Sequence, residues 1–302
     1  MLEATGASRY ADVMETTLYN AVLAGVSLDG ERFFYTNTLR QLDDMPVELR
    51  WSRRRQEFIS CFCCPPNVTR LIAGLNRYAY GRSDRTLWVN LFGSSSVRTQ
   101  IAPDQFVAVE QKTNYPWDGR IHFEVTESPA DEWTLSLRIP SWAEGATLRI
   151  NSDEPTSPAA GTFLTIQRRW SAGDVVVLEL PMRVRSVESH PLVEETRNHV
   201  AIQRGPIVYC LESCDLPKDT SLQDASLRRE SIWTPQSDKQ LAGATVLEGM
   251  ADLRATSAWS GTLYREAAST ETRSLPVRLV PYFTWGNRGD TEMTVWLPLT
   301  TR

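Results

Sequence analysis

Residues 86–99, "TLWVNLFGSSSVRT", set Leu87, Val89 and Leu91 on alternate positions and then break on Gly93 and a run of serines. Period-two alternation predicts a half-buried strand, and the Gly-Ser punctuation predicts the turn that ends it. The same grammar recurs in "IHFEVTES" (121–128), "EWTLSLRIPSW" (132–142), "ATLRINS" (146–152), "TFLTIQRRW" (162–170), "DVVVLELPMRVRSV" (174–187) and "VAIQRGPIVYCLE" (200–212). Residues 275–299 carry two more strands around an Asn-Arg-Gly turn. Short alternating strands with regular turn signals are what antiparallel β-sandwich domains show. The polar stretch from about 215 to 240 reads as a loop or domain junction. No internal repeat or low-complexity tract interrupts the pattern.

Before residue 84 the period changes. In "SRYADVMETTLYNAVLAG" (8–25), Tyr10, Val13, Met14, Thr17, Leu18, Ala21 and Val22 recur at helical spacing, with Ser8 as N-cap and Gly25 as stop. "PPNVTRLIAGLNRYAYG" (65–81) repeats the pattern through Val68, Leu71, Ile72, Leu75 and Tyr78. There Pro65 and Pro66 block any helix upstream, Asn67 is the cap, and Gly81 closes the segment. "SLDGERFFYTNTL" (27–39) reads as an extended segment or hairpin. "MLEATG" looks like the tail of a helix, with Met1 an internal methionine of a longer protein.

Composition narrows the function classes. The chain has 302 residues, 41% hydrophobic and 23% charged, which is ordinary globular material for two or three domains. A net charge of -5 argues against nucleic-acid binding. The one basic cluster, Arg53-Arg54-Arg55, reads as solvated surface. No apolar run reaches the ~20 residues that span a bilayer, so no membrane partner is expected. The start lacks the pattern of a signal peptide, and five unevenly spread cysteines are no secreted disulfide framework, so a reducing, cytoplasmic setting is expected.

Three of those cysteines crowd into "SCFCCPPNVTRL" (60–71). A disulfide, a metal site, a nucleophilic thiolate and inert burial all compete there. Adjacent Cys63 and Cys64 pair poorly with each other, because a vicinal disulfide is strained. In an extended strand Cys61 and Cys63 would point one way and Cys64 the other. A helix starting just afterwards favours thiolate, which is both metal ligand and nucleophile. A four-ligand CxxC…CxxC zinc set is absent. Cys210 and Cys214 sit in or beside a strand, where core packing is the better reading.

The order "RYADVMETTLYNAVLAGVSLDGERFFYTNTL", "CFCCPPNVTRLIAGLNRYAY", "TNYPWDGRIHFEV", "LRIPSWAEGATLRIN", "RRWSAGDVVVLELPMRVR", "HPLVEETRNHVAIQRGPIVYCLE" and "VPYFTWGNRGDTEMTVWLP" resembles glycoside hydrolase family 127, the β-L-arabinofuranosidases, over essentially the whole chain. The resemblance implies a partial (α/α)6 barrel, its last helices, over 1–84, then antiparallel β-sandwich domains at 85–190 and 191–302. It implies a retaining hydrolase acting on β-L-arabinofuranosides. By position it makes Cys63 the nucleophile, Cys63 and Cys64 zinc ligands, and Glu15 and Tyr35 residues that hydrogen-bond the sugar. Without it, Glu15 reads equally as an exposed helix carboxylate and Tyr35 as a packed ring.

The family's Glu-x-Cys zinc motif, acid/base glutamate and pocket histidines lie upstream of the matched region, and His122, His190 and His199 fall in the β region here. The expectation is a chain that is silent alone, with Cys61 the one nearby thiol that could substitute as a ligand. Its partners would be a small carbohydrate and either the missing amino-terminal part or a second copy. Residues 1–84 would be loosely held, and the β region would fold without them. Two other classes compete: a catalytically inert carbohydrate-binding or structural β-sandwich protein, and a cysteine-based redox or zinc-sensing module.

Overall fold

The structure is a computed structural model and describes residues 1–43, 50–60, 63–218, 220–254, 264, 266 and 272–300. It is mostly β with a few short helices. The chain falls into two compact units, each built from two separated stretches: 1–19 with 66–183, and 20–65 with 184–302. Residues 1–84 are therefore shared between the units.

In the first unit, one sheet runs Ser95–Ala102, Gln105–Thr113, Arg120–Glu127, Val175–Glu179, Thr147–Ile150 in spatial order, and a second runs Tyr80–Ser83, Thr86–Val89, Trp133–Ile139, Thr162–Arg168. Val89, Leu135 and Leu137 of one sheet share a core with Val107, Val109, Phe123 and Leu178 of the other. Each such side chain contributes about 1.5–3 kcal/mol on burial. One pairing departs from the antiparallel expectation: Thr86–Val89 runs parallel to Trp133–Ile139, with Val89 opposite Leu137. The chain between them leaves to build strands of the other sheet, and such a crossover is what permits a parallel return. At the Trp117-Asp118-Gly119 turn a Cβ on Gly119 would lie 1.8 Å from the Leu180 carbonyl oxygen, so only glycine fits.

Helix α1 (Leu2–Thr5) leads into α2 (Ser8–Thr16), which continues as a π-helical turn over Thr17–Val22. The buried face of this helix is not the expected Val13–Met14–Thr17 stripe. Ser8, Ala11, Glu15 and Leu18 are buried, whereas Val13 is 65% exposed. The reason is electrostatic: the surface that α2 meets in this unit presents the guanidinium of Arg138, so the Asp12 and Glu15 carboxylates turn toward it beside the buried Ala11 and Leu18. Ser8 is the first helical residue, not the cap, and its hydroxyl donates to the Gly161 carbonyl. Helix α2 is thus tied to the sandwich by buried polar contacts, contrary to the loose attachment expected.

Helix α3 (Cys64–Ala73) begins before the prolines rather than after them. Pro65 and Pro66 fit in its first turn because the amides there have no intrahelical acceptor to lose. Asn67, expected as the cap, is inside the helix, and its Oδ1 accepts from Arg70 at 2.8 Å. Helix α4 (Asn76–Ala79) follows directly.

The second unit is a branched sheet with the path Arg40–Gln41, Met293–Thr294, Ile207–Glu212, Thr272–Pro281, Ala244–Arg254, Ala225–Ser226. Ala244–Arg254 and Thr272–Pro281 pair along their lengths, Leu253 opposite Arg273 and Leu247 opposite Leu279. The 215–240 stretch is no junction; it carries 3-10 turns and the edge strand Thr234–Asp238. Residues 20–65 are woven into this unit. Asn20 brackets one hairpin, donating to the Pro206 carbonyl and accepting from the Val208 amide, both at 2.8 Å. Arg40 and Gln41 pair with Thr294 and Met293, and Phe33 bridges Val26 and Gln56.

Candidate active site

Cys63 and Cys64 stand where extended chain becomes α3. Their Sγ atoms are 3.4 Å apart, neither is in a disulfide, and Cys63 is exposed while Cys64 is half-buried. A tetrahedral zinc with Zn–S bonds of about 2.3 Å holds two sulfurs about 3.8 Å apart, so this pair fits two corners of such a site. Among the described residues no other set of His, Cys, Asp or Glu donors converges on them. Cys61 lies outside the described residues. Cys64 opens the helix, so the positive end of the helix dipole falls at the thiols.

The other two cysteines differ. Cys210 is fully buried, and burial pushes its thiol well above the usual range, with Glu212 adding to the rise. Cys214 is raised too, by burial first and then by Glu212. Cys214 does share a cluster with Glu212 and Asp215, whose donor atoms lie within 4.8 Å of one another. Those carboxylates already serve guanidinium groups: Arg288 donates to Glu212 and Asp215, both at 2.5 Å, and Arg278 to Asp215 at 2.9 Å. A cation entering there would displace or face two arginines.

Tyr35 is half-buried, and its ring stacks on Trp51 at 4.3 Å with a 32° tilt. Both lie in the second unit, as do the two thiols. The chain that carries them is fixed by a residue the sequence placed at the surface. Arg55 is only 9% exposed, and it donates to the carbonyls of Trp285 and Ala24. Its guanidinium lies 4.2 Å over the Phe34 ring, which in turn stacks on Trp285 at 4.5 Å. Burial pulls this guanidinium down to about 10, against the opposing influence of Glu212, Tyr282 and Asp29. Gly286 completes the packing at φ +67, where a Cβ would meet Phe34 at 3.3 Å and Arg55 at 3.4 Å. Of the basic triplet, Arg54 alone behaves as surface, paired to Asp290 at 2.7 Å.

Glu15 belongs to the first unit and is 1% exposed, so it is no solvated helix carboxylate. Its Oε1 accepts from Arg138 Nη2 at 2.5 Å and from the Tyr115 hydroxyl at 2.7 Å. Arg138 and Tyr115 had no place in the sequence reading. The one available signal was an arginine in the otherwise uncharged run "WTLSLRI".

Comparison with known proteins identifies the family. Over 318 aligned residues the chain is 33% identical to a non-reducing end beta-L-arabinofuranosidase of Bifidobacterium longum subsp. longum, covering 98% of this chain and 46% of that protein. Among solved structures, a glycoside hydrolase matches with a TM-score of 0.93 and 42% identity, over 100% of this chain and 50% of the other. A GH127 beta-L-arabinofuranosidase from Geobacillus stearothermophilus T6 matches with a TM-score of 0.90 and 39% identity, over 99% and 48%. The chain thus spans about half the length of these relatives. Family profiles match in sequence order: the GH127 beta-L-arabinofuranosidase catalytic domain at 1–77, the middle domain at 86–182 and the C-terminal domain at 184–298. With all three of its domain types found in succession from residue 1 to 298, the chain belongs to glycoside hydrolase family 127.

Proposed function

We propose that this chain is the carboxy-terminal portion of a retaining glycoside hydrolase of β-L-arabinofuranosides, with Cys63 as its nucleophile. The observation that carries the reading is the pair of adjacent thiols, 3.4 Å apart, with Cys63 exposed at the start of α3. Residues 1–84 would be the last helices of an (α/α)6 barrel, with sandwich domains at 85–190 and 191–302, in a cytoplasmic enzyme.

Cys63 and Cys64 would hold zinc, with the remaining ligands supplied from outside the described residues. Bound there, the ion would keep both sulfurs deprotonated at neutral pH. Cys63 Sγ then attacks the anomeric carbon, forming a C–S bond as the glycosidic C–O bond breaks. The departing oxygen takes a proton from a general acid, a role that no residue assigned here fills. Water next attacks the same carbon, the thiolate leaves, and two inversions restore the starting configuration. Tyr35 would bond a sugar hydroxyl. Glu15 would bond another on the resemblance alone; within the first unit its Oε1 already accepts from Arg138 and Tyr115.

The test joins this chain to the amino-terminal half of the Bifidobacterium longum relative and measures hydrolysis of an aryl β-L-arabinofuranoside. Cys63→Ser should abolish turnover and Cys210→Ser should leave most of it; comparable rates in the Cys63 variant and the parent would remove Cys63 from this role. The chain by itself is expected to read at background.

A further inference from the structure

Buried carboxylates elsewhere in this chain have both oxygens bonded. Glu212, fully buried, takes the Gly286 amide on Oε1 at 2.8 Å and Arg288 on Oε2. Asp252, 2% exposed, takes Arg228 on both oxygens at 2.8 Å. Glu15 is held differently. Arg138 Nη2 and the Tyr115 hydroxyl both donate to Oε1, at 2.5 and 2.7 Å, and among the described residues Oε2 has no donor. An unmet oxygen on so deep a carboxylate is costly, and a pair that served only as an anchor would close like the other two.

The two donors are themselves fixed. Arg138 lies on the strand Trp133–Ile139 with its side chain fully buried. Its Nε donates to the Asn90 carbonyl at 2.6 Å and its Nη1 to Asp12 at 2.7 Å. With three nitrogens committed, the planar guanidinium cannot turn. The Tyr115 ring is wedged edge-on between Phe92 and Tyr19, at centroid distances of 5.6 and 6.1 Å. Both donors come from the stretch matched by the middle-domain profile, whereas Glu15 comes from the stretch matched by the catalytic one. Pinning Oε1 from two directions fixes where Oε2 points. A carboxylate oxygen so held accepts from a hydroxyl in one position, and one oxygen is all that such a bond needs.

We propose that Arg138 and Tyr115 are positioning residues for the substrate, holding Glu15 by Oε1 so that Oε2 accepts from one hydroxyl of the arabinofuranose ring. The assignment rests on the proposed hydrolase and on Glu15 as one of its sugar contacts. It makes the middle sandwich part of substrate recognition, acting on the sugar without touching it.

The test uses the joined protein described above, with an aryl β-L-arabinofuranoside and its 2-deoxy, 3-deoxy and 5-deoxy analogues. The analogue that lacks the hydroxyl held by Glu15 should cost the parent about tenfold or more in kcat/KM, as loss of a hydrogen bond to a charged group does. Glu15→Gln, Arg138→Lys and Tyr115→Phe should each shrink that penalty to about threefold or less. A variant that merely loosens the fold lowers all four rates by one factor and leaves their ratio alone. Tyr115→Phe keeps the ring and its packing, so it carries the test if Arg138→Lys does not fold. The proposal is overturned if the parent treats all four substrates alike, or if the penalty survives in the Arg138 and Tyr115 variants. Should it survive there but collapse in Glu15→Gln, Glu15 remains a sugar contact without these positioning residues. Should it survive in all three, Glu15 itself leaves the sugar. Turnover that persists in Cys63→Ser, with the penalty intact, would sink the nucleophile and leave the positioning role standing.

Discussion

Arg138 and Glu15, 123 residues apart in sequence, form a fully buried ion pair, with Nη2 2.5 Å from Oε1 and neither side chain more than 1% exposed. Asp12 takes the other terminal nitrogen at 2.7 Å, and Nε donates to the Asn90 carbonyl at 2.6 Å. Burial works against the charge on Arg138, but Glu15, Tyr115 and Asp12 more than offset it and raise the guanidinium above its usual value. The desolvation cost of such a cluster is met only while every member is present. Arg138→Met should therefore cost about 3–5 kcal/mol of stability in urea unfolding, because it strands the Glu15 carboxylate. Adding Glu15→Gln should recover part of that loss, a coupling expected of contacting residues. A loss below about 1 kcal/mol in the single variant would mean that the pair does not anchor α2.

Arg55 poses the same question with carbonyls in place of carboxylates. Its guanidinium ties the backbone at Ala24 to that at Trp285 and covers the face of Phe34. A lysine keeps the charge but offers a point ammonium that cannot reach both carbonyls and stack at once. Arg55→Lys should lower stability by about 1–3 kcal/mol, the cost of leaving buried acceptors unmet. A urea midpoint equal to that of the parent would show that the fork geometry is dispensable.

How much was legible follows from these two residues. Alternation in 86–99 and 132–142 gave the strands directly, because a half-buried strand writes its period into the sequence. The parallel pairing of Thr86–Val89 with Trp133–Ile139 left no such trace, since alternation says which face is buried and not which neighbour pairs. The strand Ala244–Arg254 went unread: its start, Ala244 to Leu247, is buried at every position, so alternation is lost there. For α2 the periodicity was real and Leu18 is buried as expected, but Val13 is exposed and Glu15 is buried instead, because the buried Arg138 draws a carboxylate inward. Arg55 was hidden in a triplet whose other members are partly or largely solvated. The cysteine pair was readable as chemistry only through resemblance; spacing alone left four readings open.

Acid should act on the second unit through Asp252. Arg228 donates to both of its carboxylate oxygens at 2.8 Å, and this bond, followed by weaker contributions from Ser274 and Thr300 against the cost of burial, holds its pKa below the ordinary 3.8. A depressed folded value means that the stabilisation is present above 3.8 and is lost as pH falls through the lower folded value. Asp252→Asn should thus melt below the parent at pH 7, and the gap should narrow as pH drops beneath 3.8. A gap that stays constant down to pH 2 would show that the charge on Asp252 contributes nothing.

The thiols can be ranked without any turnover. Cys210 is buried with its thiol pushed far up, and Cys214 is raised by burial and by Glu212, so both are poor thiolates at pH 7. Cys63 is exposed at a helix start and should react first. Brief iodoacetamide treatment followed by peptide mass spectrometry should show Cys63 modified ahead of Cys214, with Cys210 protected until the fold is opened by denaturant. Prior addition of zinc should slow labelling at Cys63 and leave Cys214 unchanged, since Arg288 and Arg278 already occupy the carboxylates beside it. Weak protection is expected, because two sulfurs supply only half of a tetrahedral set. If zinc instead shields Cys214, the metal belongs to the Glu212–Asp215 cluster and the pair at Cys63 and Cys64 loses its claim.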